Sequence, residues 1–225
     1  MMKSFKEQRP LLELSHIKFS YKKNKDFTLE IPNYVFYPHD FYFLTGAPGC
    51  GKTTFLKILS KQISPSSGQI RFFFPDSIVA QTFQHLLLIE ELSAKENILL
   101  IFNKSVHGDK KRLLEEAFSF WEILELPVSG WNRPVFQLSG GQKQLVSLIR
   151  CLMIQAPAIF LDEPTGQLGP KLTQKIFELF WSKTRESSSF VVWATHDVQL
   201  VKTFHQKAIH LEQGKILGQG FGCFI

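Results

Sequence analysis

Cysteine is scarce in this 225-residue chain, and what there is builds no framework. The three cysteines (Cys50, Cys151 and Cys223) are an odd number, far apart, with no C-x-x-C pair. A disulfide scaffold or zinc site is therefore not the organising device, and a reducing interior is the expected setting. Long apolar runs are also missing. The longest, such as Ile98 to Phe102, fall far short of the ~18 residues a membrane span needs. The segment Met1 to Leu12 carries Lys3, Lys6, Glu7 and Arg9 and has no apolar stretch, so it does not read as a secretory signal. Cys223 stands third from the end, which does not fit a prenylation box. Charge of one sign is in modest excess: 26 basic against 20 acidic residues gives +6. The basic clusters (Lys22, Lys23, Lys25 and Lys110, Lys111, Arg112) are short and read as solvated loops. No internal repeat or low-complexity segment is visible. The expected location is the cytoplasm, peripheral to a membrane at most.

What is present is ordinary for a folded protein: 44% hydrophobic and 20% charged residues, with 22 phenylalanines that call for a large core. The length corresponds to roughly 1.5 typical domains, so one domain with a subdomain is expected. Leu12, Leu14, Ile17, Phe19 and Tyr21 show strand-like alternation, and Lys22 to Asp26 reads as a polar turn. Phe41 to Thr45 reads as a strand entering a glycine loop. Phe55, Leu56, Leu59 and Ile63 then recur at helical spacing. From about His85 to Gln137 the texture is helical, with Leu113, Leu114, Ala117, Phe118, Trp121 and Leu124 on one face. Past Ser139 a helix carries Leu145, Leu148, Ile149 and Leu152 on one face. Strand Ala158 to Leu161, a helix around Leu172 to Trp181 and strand Phe190 to Thr195 follow. Alternating apolar strands and helices predict an α/β fold with a mostly parallel sheet covered on both faces.

Three strands end in chemically potent residues: Gly46, Asp162-Glu163 and His196. Parallel sheets bind ligands at the carboxyl ends of their strands, so one pocket can collect all three. Gly46-Ala47-Pro48-Gly49-Cys50-Gly51-Lys52-Thr53, followed by Thr54, is a complete G-x-x-x-x-G-K-[ST] phosphate loop. Its glycines let backbone N–H groups turn toward phosphates, Lys52 reaches the β- and γ-phosphates, and the Thr53 hydroxyl ligates Mg²⁺. Ala158 to Glu163 is an apolar strand ending in two acids. Asp162 suits Mg²⁺ and Glu163 suits an attacking water; the bland alternative is an exposed acidic turn. Leu138-Ser139-Gly140-Gly141-Gln142 opens a strongly periodic helix with two glycines. Ser139 there is at least an N-cap. Each glycine costs about 1 kcal/mol relative to alanine inside a helix, so the pair argues for close approach of a ligand to the backbone.

The phosphate loop, Leu-Ser-Gly-Gly-Gln, the acidic strand end and a downstream histidine, in this order, resemble the nucleotide-binding subunit of an ABC-type ATPase. The resemblance covers nearly the whole chain. It implies a P-loop NTPase core with an N-terminal antiparallel β portion and an inserted helical subdomain: core 1–84, helical subdomain 85–137, signature helix and remaining core 138–225. It implies ATP and Mg²⁺ as ligands. It also implies a head-to-tail homodimer, in which Ser139, Gly140, Gly141 and Gln142 of one copy meet the γ-phosphate on the other's loop. Tyr21 matches the aromatic that stacks on adenine; its alternative is one more core residue of the Ile17-Phe19-Tyr21 stripe. Gln84 matches the Q-loop residue that touches Mg²⁺ and the attacking water, with Gln81 the competitor. His196 matches the switch histidine on the γ-phosphate. Separate transmembrane permease subunits are the implied partners, on the cytosolic face of a membrane. No nucleic acid is expected, because relatives of that kind carry two such domains or a long coiled-coil insert.

Two positions depart from the pattern. Gly169 stands where aspartate is usual, and Leu145 where arginine is usual. Both bear on coupling and rate rather than on a catalytic group. The expected function is an ATPase subunit powering a membrane transporter. The alternatives are an ATP-sensing module with little turnover, and an ATPase driving a non-transport membrane process such as cell division. The second is suggested by a weak resemblance of Glu163-Pro-Thr-Gly166 to the lipoprotein-release, macrolide-export and cell-division branch.

Overall fold

The computed structural model describes residues 9–21, 24–75, 79–82, 86–103 and 108–221. In chain order the strands are β1 (Leu12–Tyr21), β2 (Asn24–Ile31), β3 (Tyr34–Phe36), β4 (Phe41–Thr45), β5 (Ser67–Phe72), β6 (Val79–Thr82), β7 (Ala158–Asp162), β8 (Phe190–Thr195), β9 (Lys207–Glu212) and β10 (Lys215–Phe221). The α-helices are α1 (Lys52–Leu59), α2 (Ala94–Leu99), α3 (Lys110–Ile123), α4 (Gly140–Met153), α5 (Pro170–Glu186) and α6 (Val198–Phe204). The chain divides into two compact units. One comprises Met1–Val79, Ala156–Glu163 and Thr184–Ile225; the other comprises Ala80–Gln155 and Pro164–Lys183.

The first unit is built on a sheet in the order β3-β1-β2-β10-β9-β4-β8-β7, with β5 also pairing β1. Strand β4 pairs in parallel with β8 and β9, and β7 pairs in parallel with β8. Strand β1 is antiparallel to β2, β3 and β5, and β9 is antiparallel to β10. The sheet is therefore mixed: β4, β7, β8 and β9 form its parallel core, and the N-terminal strands are antiparallel as the resemblance implies, with β9–β10 adding a further antiparallel pair. Hairpin connections force antiparallel pairing, whereas parallel pairing needs a crossover of a dozen or more residues. The stretch Lys22 to Asp26 is less turn than its polarity suggests, because β2 already begins at Asn24.

Strands β7 and β8 are buried throughout, and β4 over all but its last residue, as strands covered on both faces must be. One face packs Phe55, Leu56 and Leu59 of α1 with Phe36, Phe160 and Phe190. Phe36 stacks on Phe190 with centroids 5.0 Å apart. The other carries Phe41, Phe43 and Trp193, and Phe204 of α6 stacks on Phe43. Phenylalanine is thus spent on filling the core. Helix α1 stops at Leu59, short of Ile63, because Lys61 turns to a left-handed φ of 58°.

The second unit is helical and extends beyond the 85–137 segment to include α4 and most of α5. Helix α3 buries Leu113, Ala117 and Trp121, and α4 buries Leu145, Val146, Leu148, Ile149 and Leu152. Lys171 and Lys175 of α5 share the Glu125 carboxylate at 2.9 Å each, just beyond the end of α3. Their hydrogen bonds hold that carboxyl down at about 2. Among the described residues no helix is long and apolar enough to cross a membrane.

The turn between β9 and β10 is tightly specified. Gly214 (φ 78°) donates its N–H to the Cys50 carbonyl at 3.0 Å and accepts from Glu30 N–H at 2.7 Å. A Cβ there would lie 2.0 Å from the Thr28 carbonyl oxygen, a backbone atom that cannot swing aside. Gly214→Ala is expected to cost on the order of 1–3 kcal/mol of stability, as overpacking does. Urea denaturation checks it, and an unchanged midpoint would contradict the contact.

Candidate functional site

The glycine loop between β4 and α1 is shaped by the strand behind it. At Gly46 (φ 146°) an added Cβ would meet the Leu211 carbonyl oxygen at 2.1 Å and Cys50 Sγ at 2.6 Å. Only glycine fits, so the loop lies against β9 at its root. Gly51 caps α1 with no side-chain hydrogen bond, leaving the helix N-terminus to its own backbone N–H groups. Lys52 is buried, and its ammonium donates to the Gly46 carbonyl at 2.7 Å and the Ala47 carbonyl at 3.3 Å. Sequence reasoning missed the supports behind this loop. Leu211 and Gly214 act through backbone atoms, which leave no side-chain signature. The Thr45 hydroxyl lies 3.0 Å from His210 Nδ1. A cavity of about 540 Å³ opens beside the loop, walled by Pro48, His196, Val198, Val201, Lys202 and His210 among others.

Parallel register brings the strand ends together. Thr45 pairs with Thr195, and Ala194 with Asp162, so Gly46, Glu163 and His196 leave adjacent strands at one level. Asp162 is buried, and its Oδ1 has no hydrogen-bond partner. The Thr53 hydroxyl faces the same carboxylate closely enough to favour its charged form. Burial pushes the Asp162 carboxyl above its ordinary range, opposed by that hydroxyl. Glu163 sits at a left-handed φ of 47°, a costly conformation for a non-glycine residue, fixed by its N–H bond to the Ala194 carbonyl at 3.0 Å. This turn aims its carboxylate at the loop. Glu163 Oε1 accepts from His196 Nδ1 at 2.9 Å and lies 4.0 Å from Lys52 Nζ. The side chains are 7%, 22% and 61% exposed from Lys52 through Glu163 to His196, so the row runs from the interior outward.

Tyr21 is 40% exposed, unlike the fully buried Ile17 of the same strand. Its hydroxyl lies 3.1 Å from Thr54 Oγ1, and its ring packs edge-on against Phe19. Tyr21 is therefore tied to α1 rather than sunk in the core. Gln84 lies outside the described residues.

In the helical unit, Ser139 caps α4 in a reciprocal box. Its hydroxyl accepts from Gln142 N–H at 3.3 Å, and Gln142 Oε1 accepts from Ser139 N–H at 2.9 Å. A Cβ at Gly140 would come no nearer than 3.7 Å to Gln167 Oε1, and one at Gly141 no nearer than 3.5 Å to Leu168 Cδ2. Both are ordinary contacts. This chain's own packing thus does not require either glycine. Leu145 is buried, so the usual arginine position is occupied by core. Around Gly169 nothing lies within 4 Å of an added Cβ.

A profile described as ABC transporter matches residues 29–166. The carnitine transport ATP-binding protein OpuCA of Listeria monocytogenes is 27% identical over 222 residues, spanning 92% of this chain and 54% of that protein. The phosphonates import ATP-binding protein PhnC of Wolinella succinogenes is 29% identical over 197 residues, spanning 79% and 71%. The chain therefore spans about half the length of the carnitine-transport relative. Among solved structures, the dimeric post-hydrolysis state of the ATP-binding cassette MJ0796 bound to ADP and Pi superposes with a TM-score of 0.78. It is 25% identical and spans 95% of this chain and all of that one. The cbiO1 structure from Clostridium perfringens, at 21% identity and a TM-score of 0.76 over 96% and 90%, shares the fold.

Asp162 carries a testable cost. Its raised pKa means that the folded state penalises the charged form. The penalty is fully present above the folded pKa and disappears below the unfolded one. Asp162→Asn is expected to raise stability at neutral pH, with the gain shrinking as pH falls toward the ordinary carboxylate range. Thermal unfolding from pH 7 to pH 4 checks this; a destabilised variant at neutral pH would contradict it.

Proposed function

This chain belongs to the ABC transporter family, and on that premise we propose that it is an ATP-binding and hydrolysing subunit that powers a membrane transporter through ATP-driven dimerisation. The observation that carries the reading is the convergence of Lys52, at the start of α1, with Glu163 and His196 at two adjacent strand ends. Tyr21 stacks on adenine at the exposed edge of β1. The loop Gly46 to Thr54 cradles the phosphates, with Lys52 moving its ammonium from loop carbonyls to the β- and γ-phosphates. Thr53 and Asp162 suit Mg²⁺: a hydroxyl beside a carboxylate with one buried, unpartnered oxygen is a hard-oxygen donor pair. When bound, Mg²⁺ neutralises phosphate charge as it develops. Glu163 accepts a hydrogen bond from the attacking water and polarises it. His196 orients Glu163 and lies toward the γ-phosphate, and Gln84 contributes to the same water. Hydrolysis by this arrangement depends on positioning and electrostatics rather than on a covalent enzyme intermediate.

The second half of the site comes from another copy. Ser139, Gly140, Gly141 and Gln142 meet the γ-phosphate held on the partner's loop, closing over ATP. The two glycines that this chain's own packing leaves unexplained support that reading. Moving a dimer from mostly open to mostly closed takes about 5.5 kcal/mol of differential ligand affinity. The γ-phosphate contacts supply it while they last, and hydrolysis removes them. Closure is then the output delivered to separate transmembrane permease subunits on the cytosolic face. The carnitine and phosphonate relatives carry transport or import in their names, which supports this use. An ATP-sensing module with little turnover is the second reading, favoured by Gly169 and by the buried Leu145.

Glu163→Gln is expected to lower kcat about 100- to 1,000-fold, the range for losing a general base, while ATP binding persists and an ATP-dependent dimer accumulates. Phosphate release and sedimentation velocity read the two effects. Equal, near-zero rates in wild type and variant would instead establish the sensor. Gly169→Asp has open space to fill and is expected to raise steady-state hydrolysis severalfold if the missing aspartate limits coupling; no change would remove Gly169 from the account.

A further inference from the structure

The signature turn is held by a strap of chain that the motifs do not mark. Residues 86–93 run alongside α4 and are bonded on both sides of Ser139. After the turn, Lys143 Nζ donates to both oxygens of Glu90 at 3.0 and 2.7 Å. Two helical turns on, about 10 Å along the axis, Arg150 spreads its guanidinium over two carbonyls: Nη1 to Leu87 at 2.9 Å and Nη2 to Leu86 at 3.1 Å. Before the turn, Val135 N–H donates to the Leu92 carbonyl at 2.9 Å and Phe136 N–H to the Glu90 carbonyl at 3.1 Å. Ser93 and Pro134 form a bridge. The fully buried Asn97 closes the strap on itself, accepting from Ile89 N–H and donating to the Ile89, Leu92 and Ser93 carbonyls. Leu87 is bent to a φ of 47°, as a chain following a helix rather than its own preference would be.

We infer that Arg150 and the Lys143–Glu90 pair are positioning residues for the signature turn, fixing Ser139 to Gly141 through residues 86–93 so that the turn is presented as a rigid edge to the partner copy. Both segments that flank Ser139 are tied to one strap, and the serine follows a two-sided constraint instead of fraying as a helix end does. Neither group touches nucleotide. The inference rests on the dimer reading above, and it predicts a defect in closure rather than in nucleotide binding.

The test uses the full chain in the Glu163→Gln background, with Arg150→Gln, Arg150→Lys, Glu90→Lys, Lys143→Glu and the charge-swapped double E90K/K143E. Affinity for a fluorescent ATP analogue is expected to stay within about twofold, while the ATP concentration that half-saturates dimer formation rises about 10- to 100-fold, the scale on which small misplacements act. In chains with Glu163 intact, kcat falls by a similar factor with KM little changed. Arg150→Lys is expected to fail as well, since one ammonium does not span two carbonyls. The swapped double is expected to recover most of the loss, and circular dichroism confirms that each variant is folded. If Glu163→Gln alone forms no dimer with ATP, the dimer reading falls and this inference with it. If it dimerises and the Arg150 and Glu90 variants dimerise as readily, the inference alone is overturned. A double no better than the single variants overturns the role of the ion pair.

Discussion

The structure depends on a contact with no side chain in it: the Cα of Gly46 against the carbonyl of Leu211. Strand β4 lies between β9 and β8, so the loop that leaves it is backed by one neighbour and faced by the other. Because no Cβ intervenes, the loop root lies on β9, and the β9–β10 turn reaches the same loop through the Gly214 bond to Cys50. The glycine loop is thus preorganised from behind by backbone. Its front remains for Lys52, at the start of α1, and for Glu163 and His196, which arrive from adjacent strands.

Local strain and burial are concentrated where that front is assembled. Burial disfavours the charged form of Asp162, and Glu163 holds a left-handed backbone. Neither feature stabilises the fold, and each has an identifiable structural cause. The parallel pairing of β7 with β8 ends at Asp162, and the next residue must turn at once to bond the Ala194 carbonyl. The cost is met by a core in which Phe36, Phe43, Phe160, Phe190 and Trp193 are fully buried. A core of that size tolerates a few kcal/mol of local strain.

The parts of this design that reside in short contiguous motifs were legible in the sequence. The glycine loop, the acidic strand end and the Leu138 to Gln142 signature each put residue type and spacing in one stretch. Tyr21 divided between core and surface on pattern alone, and its exposure with the Thr54 contact decides for the surface. What was not legible is held by backbone or by distant pairs. The β9–β10 hairpin is one such part, because its glycines blur the strand signal. The extent of the helical unit follows from α4 and α5 joining it, α5 through lysines 171 and 175 on Glu125. No periodicity within either helix reports that partnership. The strap of residues 86–93 is invisible for the same reason: four of its anchoring groups are main-chain carbonyls.

The glycines separate what the chain needs for itself from what it offers to others. At Gly46 and Gly214 a methyl group would collide with this protein's own backbone, so folding alone explains them. At Gly140 and Gly141 a methyl group would find ordinary contacts, and alanine would favour the helix by about 1 kcal/mol at each position. A sequence that forgoes that stability at the first turn of a long helix, while straps brace the turn from both sides, is holding bare backbone in a fixed place. Bare N–H groups at a helix start suit an anion, and that is the feature on which the proposed head-to-tail pairing of two copies draws, so the glycine pattern and the proposed association have one physical cause.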